Sequence, residues 1–519
     1  MPRSGTSWPV AVAALLAALA FSVAPGASQT PRKGGALRIG MIGEPPTLDA
    51  HVTTATITRE IGINMFETLF VLDAKYQPVP LLVESHEVLD GGKRYVLKLR
   101  KGVKFHNGKE LGAADVVASL KRWGKLSSPG KAVFKTVDAV DARNASTVEI
   151  RLKEPSGSFL TNLAQVDNAA VIYPKDVIDA SGEGQLKEYV GTGPFRFVEH
   201  KPDRHVKLAR FDGYAPRSEA ASGLAGQRIA YLDELYFLAV PDYAIRQAGI
   251  VTGDYTYIEL AKPDQYDRLK SSAGVEPVVI KPYGWITIVL NTKQGVMADR
   301  RLRQAVQAAL DVEPMMLAAM GHKDFFRLDP GILFQEQALH SKTGAALYNQ
   351  RDKDKAKRLL KEAGYAGQPV RWIVTTEYDH HYKTAIVGKS QLEEAGLKID
   401  LQVSDWATVV QRRNKPELWD AFSTAFIFGA EPTTWAPVLC EWPGWWCNAE
   451  KDQLLLAMSR EPDAKKRAAI WEKVQTIFYA DAARIRLGDY FRLDARRKEV
   501  QGFENGPYMH FWNVWLDRK

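Results

Sequence analysis

Cysteine is nearly absent: Cys440 and Cys447 are the only two in 519 residues. That excludes a scaffold stapled by several disulfides and every paired C-x-x-C zinc motif. No apolar run reaches the roughly 18 residues of a membrane-spanning helix. H-E-x-x-H and G-x-S-x-G are missing, so no motif argues for a zinc peptidase or a serine nucleophile elbow. Gly191-Thr192-Gly193-Pro194-Phe195 has the look of a phosphate loop, but it lacks the G-x-G-x-x-G spacing and no GK[ST] follows it. Internal repeats and long blocks of one charge are also lacking. The net charge is +8 and the pI about 9.1, yet lysine and arginine are interspersed with acids. The densest run, 351–358 (RDKDKAKR), changes sign repeatedly and reads as a solvated helix face. No nucleic-acid partner, cofactor or metal site is expected.

The length exceeds one ordinary core, so two or more lobes are expected. Hydrophobic and charged shares of 45% and 25% are those of a soluble globular chain. At the N-terminus Arg3 precedes Val10 to Val23 (VAVAALLAALAFSV), an apolar run of signal-peptide length. Gly26, Ala27 and Ser28 are small enough for cleavage, so 1–28 reads as a signal peptide and the mature chain should begin near Ser28–Thr30. No cysteine lies near that point, so no lipid anchor is expected. Export permits a disulfide between Cys440 and Cys447, preferred here over two buried thiols. Its short loop would contribute roughly 2–3 kcal/mol.

Residues 93–120 (KRYVLKLRKGVKFHNGKELGAADVVASL) are the most informative stretch. Tyr95, Leu97 and Leu99 alternate as a strand, Asn107-Gly108 signals a turn, and Val116, Val117 and Leu120 fall at helical spacing after Asp115. Asp115 is placed to favour the helix start. Ala36 to Met41 and Thr147 to Leu152 read as strands, and Ile61 to Phe70 as a helix. Asp299 should start a helix over Arg301 to Leu310, and Gly364 should close one over Asp354 to Ala363. Val370 to Thr375, Leu397 to Val403 and Ala421 to Ile427 alternate with helices, the pattern of an α/β lobe.

The 93–120 stretch closely resembles a signature of the periplasmic solute-binding proteins of the peptide/nickel class (family 5), which serve ABC importers. Glu44-Pro45-Pro46-Thr47-Leu48-Asp49, the GTGPF segment, Pro241-Asp242 with Arg246, and DRRLRQAVQAALD from Asp299 are similar to further hallmarks of that family. The resemblance implies an α/β, two-lobed periplasmic binding protein fold (class II, cluster C type) with an extra subdomain inserted in the first lobe. Lobe I would comprise 29–55, 186–285 and 486–519, the inserted subdomain 56–185, and lobe II 286–485. Hinge crossings are placed near Pro282–Leu290 and Asp481–Tyr490.

In open α/β sheets ligands gather outside the carboxyl ends of strands. Those ends in lobe II run into His380 and His381, into Trp406, and into Phe428 and Glu431. Trp435, Trp442, Trp445 and Trp446 follow closely, and large aromatics make efficient pocket walls. Tyr283 and Trp285 flank the proposed hinge. Relatives that grip a peptide's amino terminus carry an aspartate three residues before an acidic-Pro pair. The matching pair here is Glu431-Pro432, and Phe428 occupies the aspartate's place, so Glu431 becomes the candidate to balance a ligand cation. His106, in the signature turn, is read as structural.

The function implied is a monomeric, exported, periplasmic component that captures a peptide or related small solute and delivers it to an inner-membrane ABC permease and its ATPase, with no catalysis. Rival expectations are the same fold holding an opine, a glycoside or a metal chelate, and a secreted hydrolase with dispersed catalytic carboxylates.

Overall fold

The structure is a computed structural model that describes Gly5 and residues 30–182, 184–461 and 463–517. Apart from Gly5, the expected signal peptide lies outside these residues up to position 28. One large mixed sheet runs through both lobes. Its strands, numbered in chain order, are β1 (Ala36–Met41), β2 (Phe195–Lys201), β3 (His205–Arg210), β4 (Glu234–Ala239), β5 (Tyr257–Ile258), β6 (Val275–Leu290), β7 (Phe326–Arg327), β8 (Pro369–Val374), β9 (Lys398–Val403), β10 (Ala421–Ile427) and β11 (Arg484–Arg497). Their spatial order is β9-β8-β10-β6-β11-β5-β1-β4-β3-β2, with β7 also paired to β11.

β6 and β11 tie the lobes together. Val275 to Ile280 pairs with Arg497 to Arg492 beside lobe I, and Gly284 to Val289 pairs with Tyr490 to Arg484 beside lobe II. The register shifts between Ile280 and Gly284, where both strands cross from one lobe to the other. These crossings fall at the start of the first predicted hinge and the end of the second. In lobe II, β8 is parallel to both β9 and β10, and helices Asp379–Glu394 and Trp406–Arg413 make the connections. The carboxyl ends of these three strands therefore point one way, as the α/β pattern requires.

The chain between β1 and β2 builds a separate four-stranded antiparallel sheet, ordered Val83–Leu89, Arg94–Leu99, Thr147–Leu152, Val137–Asn144. Helix Ala113–Leu126 covers it with Val116, Leu120 and Trp123, all buried. The strand, turn and helix expected for 93–120 are thus present. Asp115 acts one turn later than a cap: its Oδ2 accepts from Gly112 N at 2.9 Å. The GTGPF segment is a tight backbone turn against Met65, whose carbonyl oxygen would lie 2.3 Å from a Cβ at position 191. His106 holds that turn, accepting from Gly191 N at 3.1 Å and lying 3.0 Å from the Gly193 carbonyl.

One expectation needs correction. The helix read over Ile61 to Phe70 is instead Thr56–Gly62. Asn64 ends it by hydrogen-bonding the Glu60 carbonyl at 2.9 Å and accepting from Phe511 N at 2.8 Å, which anchors the returning C-terminal tail. The other predicted helices form within a residue of expectation, at Arg300–Ala309 and Lys353–Glu362.

Cys440 and Cys447 are joined, with Cα atoms 4.4 Å apart. Replacing both with serine should lower the unfolding free energy by at most about 2–3 kcal/mol, the loop-closure contribution of so short a ring. Urea denaturation of the double variant measures this, and a larger loss would mean that packing, rather than the bridge, holds that loop.

Candidate functional site

The ends of β8, β9 and β10 face lobe I across a cavity. His380, His381, Trp406, Trp435 and Trp442 line it from lobe II, and Tyr283 and Tyr490 line it at the strand crossing. Lobe I supplies Glu60, Asp167 and Glu259. The two lobes are in contact around it. The Tyr243 hydroxyl, on lobe I helix Tyr243–Thr252, donates to the Glu377 carbonyl at 3.2 Å and accepts from Asp379 N at 3.0 Å. Burial pushes that phenol up to about 12, so it stays a neutral donor.

The aromatic wall is built by mutual stacking. Trp435 packs edge-on against Trp285 at 6.0 Å and donates its indole N–H to the Ile427 carbonyl at 3.1 Å. Trp406 meets Tyr378 at 5.0 Å, and Tyr378 stacks on His381 at the same distance. His380 and His381 are buried, and three of their ring nitrogens (His380 Nε2 and both of His381) have no hydrogen-bond partner among the described residues. Burial lowers His380 to about 4, and burial with the neighbouring ring lowers His381 well below the usual range. Both rings are therefore neutral at pH 7, offering polar nitrogens to whatever fills the cavity. Among the described residues no three His, Cys, Asp or Glu side chains are grouped to hold a metal ion.

The floor of the cavity is ionic. Arg492 on β11 is fully buried and hydrogen-bonds Glu60, the Tyr283 hydroxyl at 2.9 Å, Glu259 at 3.2 Å and Asp494 at 2.6 Å. Arg59 is paired with Asp167 at 2.6 Å. Burial, then the nearby Glu60 charge, holds the Glu259 carboxyl well above its ordinary range. Burial also raises Glu60, but Arg492, a hydrogen bond with Glu259 and Arg59 more than offset it, and Glu60 ends below its ordinary value. Glu259 also accepts from Ile42 N at 2.8 Å, and two carboxyls held this close resist ionising together.

Arg413, at the end of helix Trp406–Arg413, also lines the cavity. It is buried, and among the described residues no carboxylate lies within ion-pair distance of it. The Thr54 hydroxyl, 3.5 Å from Nη2, and the faces of Trp442 and Trp406 are its neighbours. Burial lowers it to about 10, which leaves it charged at neutral pH. A neighbouring pocket, which shares Tyr378 and Trp406 with the cavity, includes Glu44, Asp203, Glu377 and Asp405 in its lining.

Several sequence candidates sit elsewhere. Phe428 is fully buried, stacked between Phe334 at 5.8 Å and Tyr76 at 4.4 Å, and does not face the cavity. Glu431 is also buried behind the wall: Arg467 clamps both its carboxylate oxygens, and it caps Thr433 N at 3.0 Å. It is already neutralised, which corrects its reading as the balance for a ligand cation. Trp446 is buried and donates to Asp481 at 2.8 Å, and Trp445 stacks on Trp419; neither lines the cavity. Trp285 lies one layer beneath the surface, fully buried, with its indole nitrogen unpaired. Glu60, Glu259, Arg492 and Arg413 were not singled out from the sequence.

Replacing Arg492 with methionine should destabilise the fold by about 3–5 kcal/mol at pH 7, because it strands Glu60, Glu259 and Asp494 as buried carboxyls without their cation. The loss should shrink as pH falls through the carboxyl range, where protonation removes those charges. Calorimetric melting of parent and variant from neutral to acidic pH checks both size and sign.

Residues 77–436 match the family description "Bacterial extracellular solute-binding proteins, family 5 Middle". The chain is 27% identical to the probable peptide ABC transporter periplasmic-binding protein y4tO of Sinorhizobium fredii, over 90% of this chain and 91% of the relative. It is 25% identical to the oligopeptide-binding protein AppA of Bacillus subtilis, over 94% and 92%. The solved structure of AppA in complex with a nonapeptide superposes with a TM-score of 0.82 at 24% identity, covering 94% of this chain and all (100%) of that one. The structure of AgaA from A. tumefaciens R10 in complex with agropinic acid also gives 0.82, at 23% identity, covering 93% and 99%. With more than half of its length matched, the chain belongs to the family 5 bacterial extracellular solute-binding proteins.

Proposed function

We propose that this protein is the substrate-capture component of an ABC importer, holding a short peptide or related small zwitterionic solute between its lobes. The observation that carries this reading is the cavity at the lobe junction, where aromatic walls surround buried polar atoms without a hydrogen-bond partner among the described residues: three histidine nitrogens, a carboxylate oxygen of Glu60 and the Arg413 Nε. Unpaired buried polar groups are costly, and a bound solute is the partner that removes the cost. Apolar walls with a few placed polar groups are the usual make-up of a small-solute site.

The protein is read as exported and periplasmic, without a lipid anchor, monomeric, and acting with a membrane permease and its ATPase. Lobe I is taken as 29–55, 186–285 and 486–519, the inserted subdomain as 56–185, and lobe II as 286–485, with closure about the β6 and β11 crossings. Capture proceeds without turnover.

A second reading, an opine-like solute in place of a peptide, is favoured by Phe428. The loop that carries an acid in peptide-gripping relatives here presents a buried phenyl ring. AgaA, of the same fold, is seen with agropinic acid.

Native mass spectrometry of the purified protein should detect a co-purified small zwitterion. Incubation with peptide and ester libraries should give saturable binding; turnover would overturn the reading. Trp406→Ala and Trp435→Ala should each weaken binding at least tenfold, about 1.4 kcal/mol, with the fold intact. Calorimetry on both variants decides whether this cavity is the site. Tyr243→Phe removes the contact that bridges the lobes. In X-ray scattering it should leave the ligand-saturated protein with a larger radius of gyration than the parent.

A further inference from the structure

We propose that Glu60 and Glu259, two cavity-lining carboxyls that reach one guanidinium, form the subsite for the solute's cationic nitrogen. This rests on the reading of the cavity as a solute site, and it moves cation recognition from the lobe II loop to the lobe I floor.

Pairing at the floor is unequal. Asp167 matches Arg59 at 2.6 Å, and Asp494 matches Arg492 at 2.6 Å. Glu60, Glu259 and Asp494 all reach the same Arg492, so three carboxyls share one guanidinium, and Glu60 lies 4.0 Å from Arg59 as well. Both line the cavity. With Glu259 ionised, Oε2 of Glu60, on a side chain 1% exposed, meets no donor among the described residues. With Glu259 protonated, the two carboxyls hydrogen-bond. The alternative donor is an ammonium or guanidinium from the solute. It would give Oε2 its hydrogen bond and restore the charge that the departing proton removes. The unpaired nitrogens of His380 and His381 line the same cavity and are neutral, so they do not repel a cation.

Where Glu259 is protonated the balance is simple: a cationic solute binds, one proton leaves Glu259 for solvent, and the net charge of the floor is unchanged. The groups that set the proton's affinity come from every side: Arg59 from the Thr56–Gly62 helix, Arg492 and Asp494 from β11, Tyr283 from β6, Tyr243 and Arg246 from helix Tyr243–Thr252, and Tyr378 from lobe II. Lower pH keeps the proton on Glu259, so affinity for a cation should rise with pH until that carboxyl is ionised in the free protein. Above about pH 8 a peptide's own amine begins to lose its charge and the gain should end.

The probes are a panel of free di- and tripeptides and the N-acetylated form of each. Free amines should bind at least tenfold tighter than their acetylated forms. Calorimetry of the tightest binder at a pH near 6, in two buffers of different ionisation heat, should show proton release of up to one per solute. Glu60→Gln, which keeps the shape and removes the charge, should abolish most of that preference; its melting curve checks the fold. The proton count uses the parent protein and does not depend on the variant folding. If acetylated peptides bind as well as free ones, or if no proton is released, this inference falls and solute capture stands. If neither set binds, the peptide class falls and the inference with it.

Discussion

The Arg492 guanidinium is the contact on which the rest of the molecule turns. It sits where β6 and β11 pass between the lobes, and it gathers Glu60 from the Thr56–Gly62 helix, Glu259 from beyond β5, Asp494 from its own strand and Tyr283 from the partner strand. Buried ion clusters of this kind are poor sources of stability, because desolvation consumes most of the Coulomb gain. Their strength is geometric. One planar fork fixes four side chains from different segments, so the cavity floor is set before any solute arrives.

That floor determines what the walls can do. Lobe II delivers its aromatics from three parallel strand ends, and they stack on one another to form a surface with little rotational freedom. Aromatic walls alone are indifferent to the orientation of a solute. The carboxyls of the floor and Arg413, which has no carboxylate partner among the described residues, add charge of both signs to the lining.

Much of the frame was legible in the sequence. The β8, β9 and β10 runs, their parallel order and the crevice at their ends follow from strand and helix alternation, and that rule led to Trp406, His380 and Trp435. Tyr283 was reached through the hinge. The charged floor was not legible for a physical reason. β11 (RIRLGDYFRLDARR) alternates charged and apolar residues, the usual mark of a half-exposed strand, yet Arg484, Arg486, Asp489, Arg492 and Asp494 are all buried because both faces are covered. Sequence spacing cannot show that a charge is matched from a distant segment, as Arg492 is by Glu60 across 432 positions. Glu431 failed in the opposite sense: its partner Arg467 lies on a later helix that folds behind the loop, and nothing local announces it. A usable signal did exist for Glu60, an acid flanked by Ile57 and Ile61 in a short helix otherwise buried on most sides.

The cost of this arrangement has a consequence for folding. The cavity lining holds carboxyls that share one guanidinium, a guanidinium without a carboxylate and imidazole nitrogens without a hydrogen-bond partner among the described residues, each of which favours the unfolded chain, where water would satisfy it. A solute that satisfies these groups binds only the folded form and stabilises it by mass action, about 2.7 kcal/mol at a concentration of one hundred times its dissociation constant. A solute that met these groups from both lobes at once would favour a closed arrangement over an open one. On that reading stability, closure and recognition would be set by one group of buried side chains gathered where β6 and β11 cross.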